Sequence, residues 1–384
     1  MTAIVTDAHY RMSVSLIRDL FDRGVRVAAC EKASIEAPVG FASRGTAQCI
    51  RLPDEEYEAA LLALCREVLE IEGEKPVLLP VGAKTLAMVS RSRDAFSAVA
   101  GLCAATPSQL TLFNDKAAVS ALAKTLGVPV PESFERQPEE ADEPFFSRVP
   151  LPCAVKPHCG ESFGLTASQR YRICRTKDEL RAAFHHFKAL TNEDPIVQEY
   201  LPGAAYGCSV LAKDGAVYRS LCHRRVREYP VSGGPSSCCE SVSRSDLLAF
   251  SEALVQETGF TGPAMFEFKC AADGSPRLLE VNPRVWGTFP LTRAAKTDFA
   301  YSWFCLAANL PLPEEVPAQH VKMAYYPADF AAGLGYLKAG QPGRFFAAAA
   351  DFLSPCVKNG IADPKDPAPA QVYFRNLFHR GGHK

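Results

Sequence analysis

The stretch Met265-Phe-Glu-Phe-Lys-Cys-Ala-Ala-Asp-Gly-Ser-Pro-Arg-Leu-Leu-Glu-Val-Asn-Pro-Arg284 predicts a β-hairpin, and this hairpin decides the fold. An apolar strand rich in Phe and Met runs into Asp273-Gly274, which is a strong signal for a two-residue turn. A second strand, Leu278 to Val281, runs back beside the first. We therefore expect two antiparallel neighbours whose register is fixed by the turn.

The predicted register brings two carboxylates face to face. With a two-residue loop, Ala272 lies opposite Ser275, and counting outward places Glu267 directly opposite Glu280. Opposed like charges destabilise a strand pair. The pair therefore requires a cation or a shared proton.

Asn282 follows Glu280 by two residues and shares its face, because alternate residues of a strand lie on one side, and Arg284 is two residues further on. Two carboxylates and an amide oxygen are hard ligands that suit Mg²⁺ bound with substrate phosphates. Arg284 is within reach of a phosphate or an anionic intermediate. The alternative is a set of solvated strand residues, since Glu-x-Asn-x-Arg arises by chance. The hairpin register favours the metal site, because it brings three oxygen ligands together.

Composition limits the class of protein. The chain has 384 residues, enough for two or three domains, and its 47% hydrophobic and 22% charged residues are typical of a globular protein in water. The net charge of -1 gives no electrostatic reason to expect nucleic acid or an anionic membrane as a partner. The amino terminus lacks the features of a signal peptide, and no apolar run approaches the length of a membrane span.

Fourteen cysteines are scattered through the predicted helices and strands, and none forms a Cys-x-x-Cys pair. This distribution is typical of cysteines used as small apolar residues in a reducing compartment. We therefore expect a cytoplasmic protein without a zinc site.

Residues 1–110 alternate strand and helix signals, which predicts a parallel sheet covered by helices. The turn after the first strand lacks the Gly-x-Gly-x-x-Gly fingerprint, so a dinucleotide site is not expected there. A scaffold or substrate-side role is favoured for this domain.

Residues 111–310 predict a second α/β region, with a smaller subdomain at about 150–200. Asn114-Asp-Lys116 opens a helix that ends at Gly127, and residues 208–225 predict another hairpin that turns at Asp214-Gly215. The acidic, Pro-containing residues 132–150 favour a surface loop. Residues 311–384 form a Pro-rich extension, with a helix near 345–353, that we expect to pack on the core.

Two segments of the second region have features of a phosphate site. Lys156 ends a predicted strand and precedes a loop with two glycines and Ser162, which can cover phosphates with backbone amides, a hydroxyl and one ammonium group. Lys116 lies near a helix start. The Gly-x-x-x-x-Gly-Lys-Ser/Thr loop is absent. The alternative for both is a solvated lysine beside an ordinary turn.

Two further segments could contact the rest of a nucleotide or a second anion. Gln198-Glu-Tyr-Leu-Pro-Gly203 ends a strand and offers a carboxylate and backbone amides beside Tyr200 and Leu201, which suits an adenine edge. Arg225 lies in the cluster His223-Arg-Arg-Val-Arg227, which can hold phosphate or carboxylate groups. A plain strand end and a solvated basic turn are the alternatives.

Taken in order, these segments resemble the ATP-grasp superfamily from about residue 114 to 289. The ordered set is Asp115-Lys116, Lys156 with its Gly loop, Gln198-Glu-Tyr, Glu267, and Glu280-Val-Asn-Pro-Arg284. Within the superfamily, the chain is similar to bacterial predicted carboligases related to the carbamoyl-phosphate synthase large subunit. Tyr206-Gly-Cys-Ser-Val-Leu211, His223-Arg-Arg225, Gly233-Gly-Pro-Ser236 and Asn282-Pro-Arg-Val-Trp-Gly287 carry this closer similarity.

The resemblance implies an ATP-grasp fold, in which two α/β subdomains clasp ATP, preceded by a Rossmann-like domain. It also implies a role for each candidate residue. Lys116, Lys156 and Ser162 would contact the phosphates; Gln198, Glu199, Tyr200 and Leu201 would hold adenine; Glu267, Glu280 and Asn282 would bind two Mg²⁺ ions, or Mn²⁺ in their place; Arg284 and Arg225 would be catalytic. One departure concerns the ribose, because residues 204–207 offer no carboxylate where many members have one.

The activity implied is ATP-dependent ligation of a small carboxylate to an amine, through an acyl-phosphate and with release of ADP. Carboxylation through carboxyphosphate is a second reading, and a non-catalytic ATP-binding subunit is a third. Relatives suggest a homodimer. Nothing in the sequence names the carboxylate or the amine.

Overall fold

A computed structural model describes residues 1–158, 165, 169, 171–231 and 233–381 of the chain. It contains three sheets: a parallel sheet in the amino-terminal domain, a small antiparallel sheet and a seven-stranded central sheet.

The amino-terminal domain is built on a parallel four-stranded sheet. Its strands are β1 (Thr2–Val5), β2 (Arg26–Lys32), β3 (Gln48–Leu52) and β4 (Val77–Leu79). Its helices are α1 (Arg11–Asp22), α2 (Tyr57–Glu72), α3 (Ala83–Arg91) and α4 (Arg93–Val99), with a short 3₁₀ helix at Val39–Ala42. The strand order β3-β2-β1-β4 confirms the predicted parallel sheet.

Two helices lead into a small subdomain with an antiparallel sheet in the order β5-β8-β6-β7. The two helices are α5 (Pro107–Asn114) and α6 (Lys116–Thr125). The subdomain consists of β5 (Ser133–Phe134), α7 (Asp142–Arg148), β6 (Cys153–Lys156), β7 (Arg172–Cys174), α8 (Lys177–Thr191) and β8 (Ile196–Glu199).

The surface loop expected at 132–150 is wrong. This segment contains β5 and α7, and it contributes Phe145 and Phe146 to the buried core of the small subdomain. The many polar residues around this aromatic pair concealed the short helix in the sequence.

A seven-stranded sheet forms the centre of the molecule, in the order β13-β12-β9-β10-β11-β14-β15. Its strands are β9 (Ala205–Lys213), β10 (Ala216–Glu228), β11 (Ser236–Val242), β12 (Gly262–Cys270), β13 (Pro276–Asn282), β14 (Lys322–Ala324) and β15 (Val357–Asn359). The remaining helices are α9 (Ser245–Glu257), α10 (Pro290–Ala294), α11 (Phe299–Ala308), α12 (Ala328–Lys338), α13 (Pro342–Leu353) and α14 (Ala368–Gly381).

The amino-terminal domain and the central sheet share one hydrophobic core. Residues of β1, α1 and β4 pack with Trp286, Phe299 and Trp303, and the indole Nε1 of Trp303 donates to the carbonyl of Cys103 at 2.6 Å. This shared core fixes the carboxyl edge of the first sheet beside the segment that follows β13.

The predicted opposition of Glu267 and Glu280 is confirmed, but the predicted two-residue turn is wrong. Ala271 N donates to Ser275 O at 2.9 Å, so the loop has three residues and ends at Gly274, whose φ is +82°. A bulge at Leu279 then adds one residue to the returning strand. The two one-residue differences cancel, and the carboxylates face each other as expected.

No helix in the described part of the chain is both long enough and apolar enough to span a bilayer.

Candidate functional site

The hairpin places three oxygen-bearing side chains together at the edge of the central sheet. Glu267 and Glu280 are directly opposite, and Asn282 Nδ2 lies 3.2 Å from Glu267 Oε1 and 3.5 Å from Glu280 Oε1. The Asn282 Oδ1 atom accepts a hydrogen bond from Arg284 Nη2 at 3.1 Å. The predicted metal ligands therefore form one contiguous group.

Each carboxylate has its own protein cation. Lys116 Nζ lies 2.9 Å from Glu280 Oε2, and Arg225 pairs with Glu267. Burial raises the pKa of Glu267 even though Arg225 opposes the shift. Burial also acts to raise the pKa of Glu280, but Lys116 and Lys156 outweigh it and lower that pKa to about 2.

Lys116 reaches this site from the start of α6. Asp115 caps the helix by accepting from the backbone N–H groups of Ala117 and Ala118 at 2.8 and 3.1 Å. The cap fixes the first turn of α6, and the lysine extends from that turn to the hairpin.

Lys156 approaches from the small subdomain, at the carboxyl end of β6. Burial, together with the charge of Lys116, lowers the pKa of Lys156 to about 8. Two ammonium groups from different subdomains thus repel each other beside Glu280. An anionic polyphosphate would relieve this repulsion. Ser162, the third predicted phosphate ligand, lies outside the described residues.

The predicted adenine segment crosses from the small subdomain to the central sheet. Gln198 is buried and its Nε2 donates to Ser133 Oγ at 3.2 Å, whereas Glu199 N donates to the carbonyl of Glu132 at 2.8 Å. Leu201 is buried, and Lys269 Nζ lies 5.2 Å from the centre of the Tyr200 ring.

Gly203 fixes the end of this segment against the central sheet. Its N–H donates to Cys270 O at 3.1 Å, and a Cβ at this position would lie only 2.3 Å from the same oxygen. The close approach requires glycine. The crossing segment is therefore attached to the strand that carries Glu267.

The three arginines of the basic cluster 223–227 contact three different parts of the molecule. Arg224 forms an ion pair with Glu240 on the opposite face, and Arg227 turns into a buried network beyond a bulge. Arg225 alone reaches the hairpin, and among the described residues no group accepts from its buried Nε. An oxygen of a bound anion is the kind of acceptor that this atom lacks.

The floor of the site depends on Gly207, which pairs with both Glu267 and His223. A Cβ on Gly207 would lie 2.3 Å from His223 Cε1, so the glycine makes room for the imidazole. Burial and the nearby Arg225 lower the pKa of His223 to about 3, and its Nε2 lies 3.3 Å from Thr288 Oγ1. His223 is therefore neutral and structural.

Sequence reasoning did not identify a second polar group, at the carboxyl edge of the first sheet. His9 Nδ1 lies 2.6 Å from Glu31 Oε2, the same oxygen accepts from the His9 backbone N–H at 2.8 Å, and the Glu31 side chain is only 2% exposed. Arg11 Nη2 donates to Gly287 O at 3.1 Å, and its guanidinium lies 4.1 Å from the centre of the Tyr325 ring. Arg11 thus joins this edge to the loop that carries Arg284.

No sequence motif marks this edge, and the strand order of the folded sheet is what identifies it. Ligands of open parallel sheets bind at the carboxyl ends of the strands, where the strand order reverses. In this sheet the reversal is at β1, which lies between β2 and β4. The polar residues directly after β1, at 7, 9 and 11, lie at this reversal.

The donor set fits Mg²⁺ bound with a polyphosphate. Two carboxylates and one amide lie in mutual contact, two lysines lie beside them, and a half-turn of the Asn282 amide would present Oδ1 to an ion. Within the described ranges, no group of three or more His, Cys, Asp and Glu side chains is placed to hold a metal. The candidate metal site is the group of Glu267, Glu280 and Asn282, which the paired strands bring into contact.

Residues 191–326 match a family model described as "ATP-grasp in the biosynthetic pathway with Ter operon". The chain has the ATP-grasp fold. The match begins just before the strand of Gln198 and includes the whole hairpin of β12 and β13. The predicted ATP-grasp fold with a preceding parallel-sheet domain is thereby confirmed.

Solved structures share this ATP-grasp fold at low sequence identity. The chain is similar to a biotin carboxylase from Campylobacter jejuni in a complex with a β,γ-ATP compound, with 14% identity, 84% of this chain and 74% of that chain covered, and a TM-score of 0.66. It is also similar to the biotin carboxylase domain dimer of Hydrogenobacter thermophilus 2-oxoglutarate carboxylase with MgADP, ADP and bicarbonate, at 15% identity, 84% and 73% coverage and a TM-score of 0.63.

A third similar structure is the L-amino acid ligase from Bacillus licheniformis. The identity is 14%, the coverage is 84% of this chain and 79% of that chain, and the TM-score is 0.58. No curated protein sequence matches the chain. The likeness to these carboxylases and to the ligase is therefore a likeness of fold, and it does not distinguish between their reactions.

Proposed function

We propose that the chain is an ATP-dependent carboxylate–amine ligase, which forms an amide through an acyl-phosphate and releases ADP and phosphate. The observation that supports the proposal is the continuous group of charges from Lys156 and Lys116 through Glu280 and Glu267 to Arg225. It offers cations for a polyphosphate, carboxylates for a metal and a guanidinium for the group that receives the phosphoryl.

The roles follow from position. Lys116 and Lys156 would contact phosphates, with Ser162 as a further proposed contact, and residues 198–201 would hold the adenine. Two Mg²⁺ ions at Glu267, Glu280 and Asn282 would neutralise phosphate charge. Arg225 and Arg284 would orient the acyl-phosphate and stabilise its charge.

The amine would approach from the amino-terminal domain. An ammonium ion must lose a proton before it attacks, and His223 is unsuited because burial keeps it neutral and low in pKa. Glu31 accepts from Nδ1 of His9, so Nε2 of the neutral ring carries the lone pair. His9 is therefore our proposed base, and Arg11 places its loop beside residues 284–287.

Transfer of ¹⁸O tests the reaction type. A panel of ¹⁸O-labelled amino acids, dipeptides and small carboxylates is incubated with ATP, Mg²⁺ and amines, and the released phosphate is analysed by mass spectrometry. The proposal expects one carboxylate oxygen in each phosphate formed with ADP. ADP release without label in phosphate would refute the acyl-phosphate.

Carboxylation through carboxyphosphate is the second candidate, because two of the similar folds belong to carboxylases, one of them with bicarbonate bound. ADP release that depends on bicarbonate, and not on a carboxylate–amine pair, would favour it. Nucleotide binding without ADP release across the whole panel would instead favour a non-catalytic ATP-binding subunit.

We further propose that the chain acts in the cytoplasm as a homodimer, on small-molecule substrates and without a nucleic-acid or membrane partner. The described cysteines are all free thiols, as expected in a reducing compartment. One similar fold is described as a domain dimer.

A further inference from the structure

Helices α12 and α13 form a layer whose inner face is charged. Arg227 of β10 makes a two-pronged ion pair with Asp329 of α12, with both contacts at 2.8 Å, and a third contact with Asp351 of α13 at 2.7 Å. Lys322 of β14 also reaches Asp351, at 2.6 Å. The helix pair is thus attached to the central sheet by buried ion pairs.

The outer face of α12 is apolar and exposed. Phe330, Leu334 and Leu337 are spaced four and three residues apart, so they lie on one side of the helix. Asp329, Ala332 and Tyr336 lie on the other side and are buried. This arrangement is the reverse of the usual one, in which apolar residues face inward.

Helix α13 continues the same apolar face. Phe346 and Leu353 are 67% and 79% exposed, and Phe352 is 59% exposed. The two helices pack closely, because a Cβ on Gly333 would meet the Cβ of Ala348 at 3.3 Å. The side chains that point away from the sheet on both helices therefore belong to one surface. We call it the outer face, defined by Phe330, Leu334, Leu337, Phe346, Phe352 and Leu353.

The outer face exposes roughly 700 Å² of apolar side chain, taking ~200 Å² for a fully exposed residue of this size. That exceeds the ~300–600 Å² of the largest apolar patch on a typical monomer, and it approaches the ~800 Å² that each partner buries in a stable complex. Lys338 and Arg344 are the cations near the helix turn, fewer than the four to eight of a lipid-binding cluster.

We propose that the outer face binds the outer face of a second copy of this chain, in a two-fold symmetric dimer. An apolar surface without opposed charges is complementary to itself, which a two-fold interface requires. The inner ion pairs hold both helices in place before association. This interface does not depend on the reaction that the ATP-grasp domain performs.

Sedimentation velocity across a wide range of concentration tests the interface. Wild type is expected at twice the 41.7 kDa of one chain, and the double variant Phe346→Asp/Leu353→Asp at the mass of one chain. Ile71→Asp is the matched control, because Ile71 is 75% exposed on α2 and lies outside the outer face. It should remain dimeric. Circular dichroism checks that each variant is folded.

Hydrogen exchange on wild type provides a second measurement that needs no variant. Exchange in 342–353 should slow as concentration rises, while exchange in α2 stays constant. A wild-type protein with the mass of one chain, a dimer that survives the double substitution, or exchange in 342–353 that is independent of concentration would overturn the proposal. So would a monomer that floats with lipid vesicles and loses this binding in the double variant.

Discussion

Replacing Glu280 by glutamine tests the electrostatic account of the hairpin without a substrate. In the free protein Glu280 pairs with Lys116 at 2.9 Å, and the two lysines hold its pKa at about 2. Glutamine has the same shape and no charge, so Lys116 loses its ion-pair partner while the packing is unchanged.

The magnitude follows from the pKa. A depression from the ordinary 4.5 to about 2 corresponds to at most ~3 kcal/mol of stability. The Glu280 side chain is 32% exposed, and solvent screening reduces the expected cost to ~1–2 kcal/mol. Because the folded pKa is the lower one, the contribution is complete above the unfolded pKa near 4.5. It is lost as the pH falls from there toward 2.

Urea unfolding at pH 7, and at steps down to pH 4, measures this cost. The Glu280→Gln variant should be ~1–2 kcal/mol less stable than wild type at pH 7, and the difference should begin to shrink below about pH 4.5. Glu252→Gln is the control, because Glu252 is exposed on α9. Equal stability of wild type and Glu280→Gln at pH 7, or a difference that does not change with pH, would refute the reasoning.

Three further substitutions test other parts of the molecule. Asp329→Asn should cost ~3–5 kcal/mol in urea unfolding, since buried Arg227 loses its two-pronged carboxylate partner and keeps only the contact with Asp351. Asp178→Asn, at a 94% exposed carboxylate, should cost almost nothing, and equal effects would contradict the buried network. Gly207→Ala should lower the free energy of unfolding by ~1–3 kcal/mol, because the new Cβ overlaps the His223 ring. The variant should also lose the thermal stabilisation by MgADP, and unchanged MgADP binding would contradict the role of Gly207 in the floor of the site. His9→Gln should lose amide formation from an amino acid, whose ammonium group needs a base before it can attack. The variant should retain hydroxamate formation, because hydroxylamine is unprotonated near neutral pH. Equal losses of the two activities would exclude His9 as the base.

The sequence was sufficient to place Glu267 opposite Glu280 because the hairpin is a local segment. Glu267 and Glu280 are 13 residues apart and lie on paired strands, so alternation and a turn signal place them together. The predicted result survived an error in the turn, since a bulge at Leu279 compensated for the longer loop. A bulge has no reliable sequence signal, and this agreement was partly fortuitous.

Contacts between segments that are distant in the sequence could not be predicted by counting residues outward from a turn. The pairing of Lys116 with Glu280, and of Arg225 with Glu267, depends on how separate elements pack. Only the resemblance to the ATP-grasp superfamily placed Lys116 and Arg225 at the same site as the hairpin, because the periodicity of the sequence carries no information on such contacts. The amino-terminal edge, with His9 and Glu31, escaped notice because no motif marks it and only the strand order makes it a site.

The outer face of α12 and α13 shows a different limit. Helical spacing in 328–353 indicates an apolar side, and the usual inference turns that side inward. The buried Arg227–Asp329 pair reverses it, and a long-range ion pair has no local pattern. Patterning identified the α13 helix near 345–353, but not which side faces water.

Substrate-dependent release of ADP by wild type and Glu280→Gln tests the central claim most directly. Both proteins are assayed with ATP and Mg²⁺ over a panel of amino acids, dipeptides and small carboxylates with amine acceptors. The account predicts that wild type releases ADP only with a carboxylate–amine pair and that Glu280→Gln, although folded, does not. Turnover of Glu280→Gln at the wild-type rate would contradict the metal site and the mechanism that depends on it.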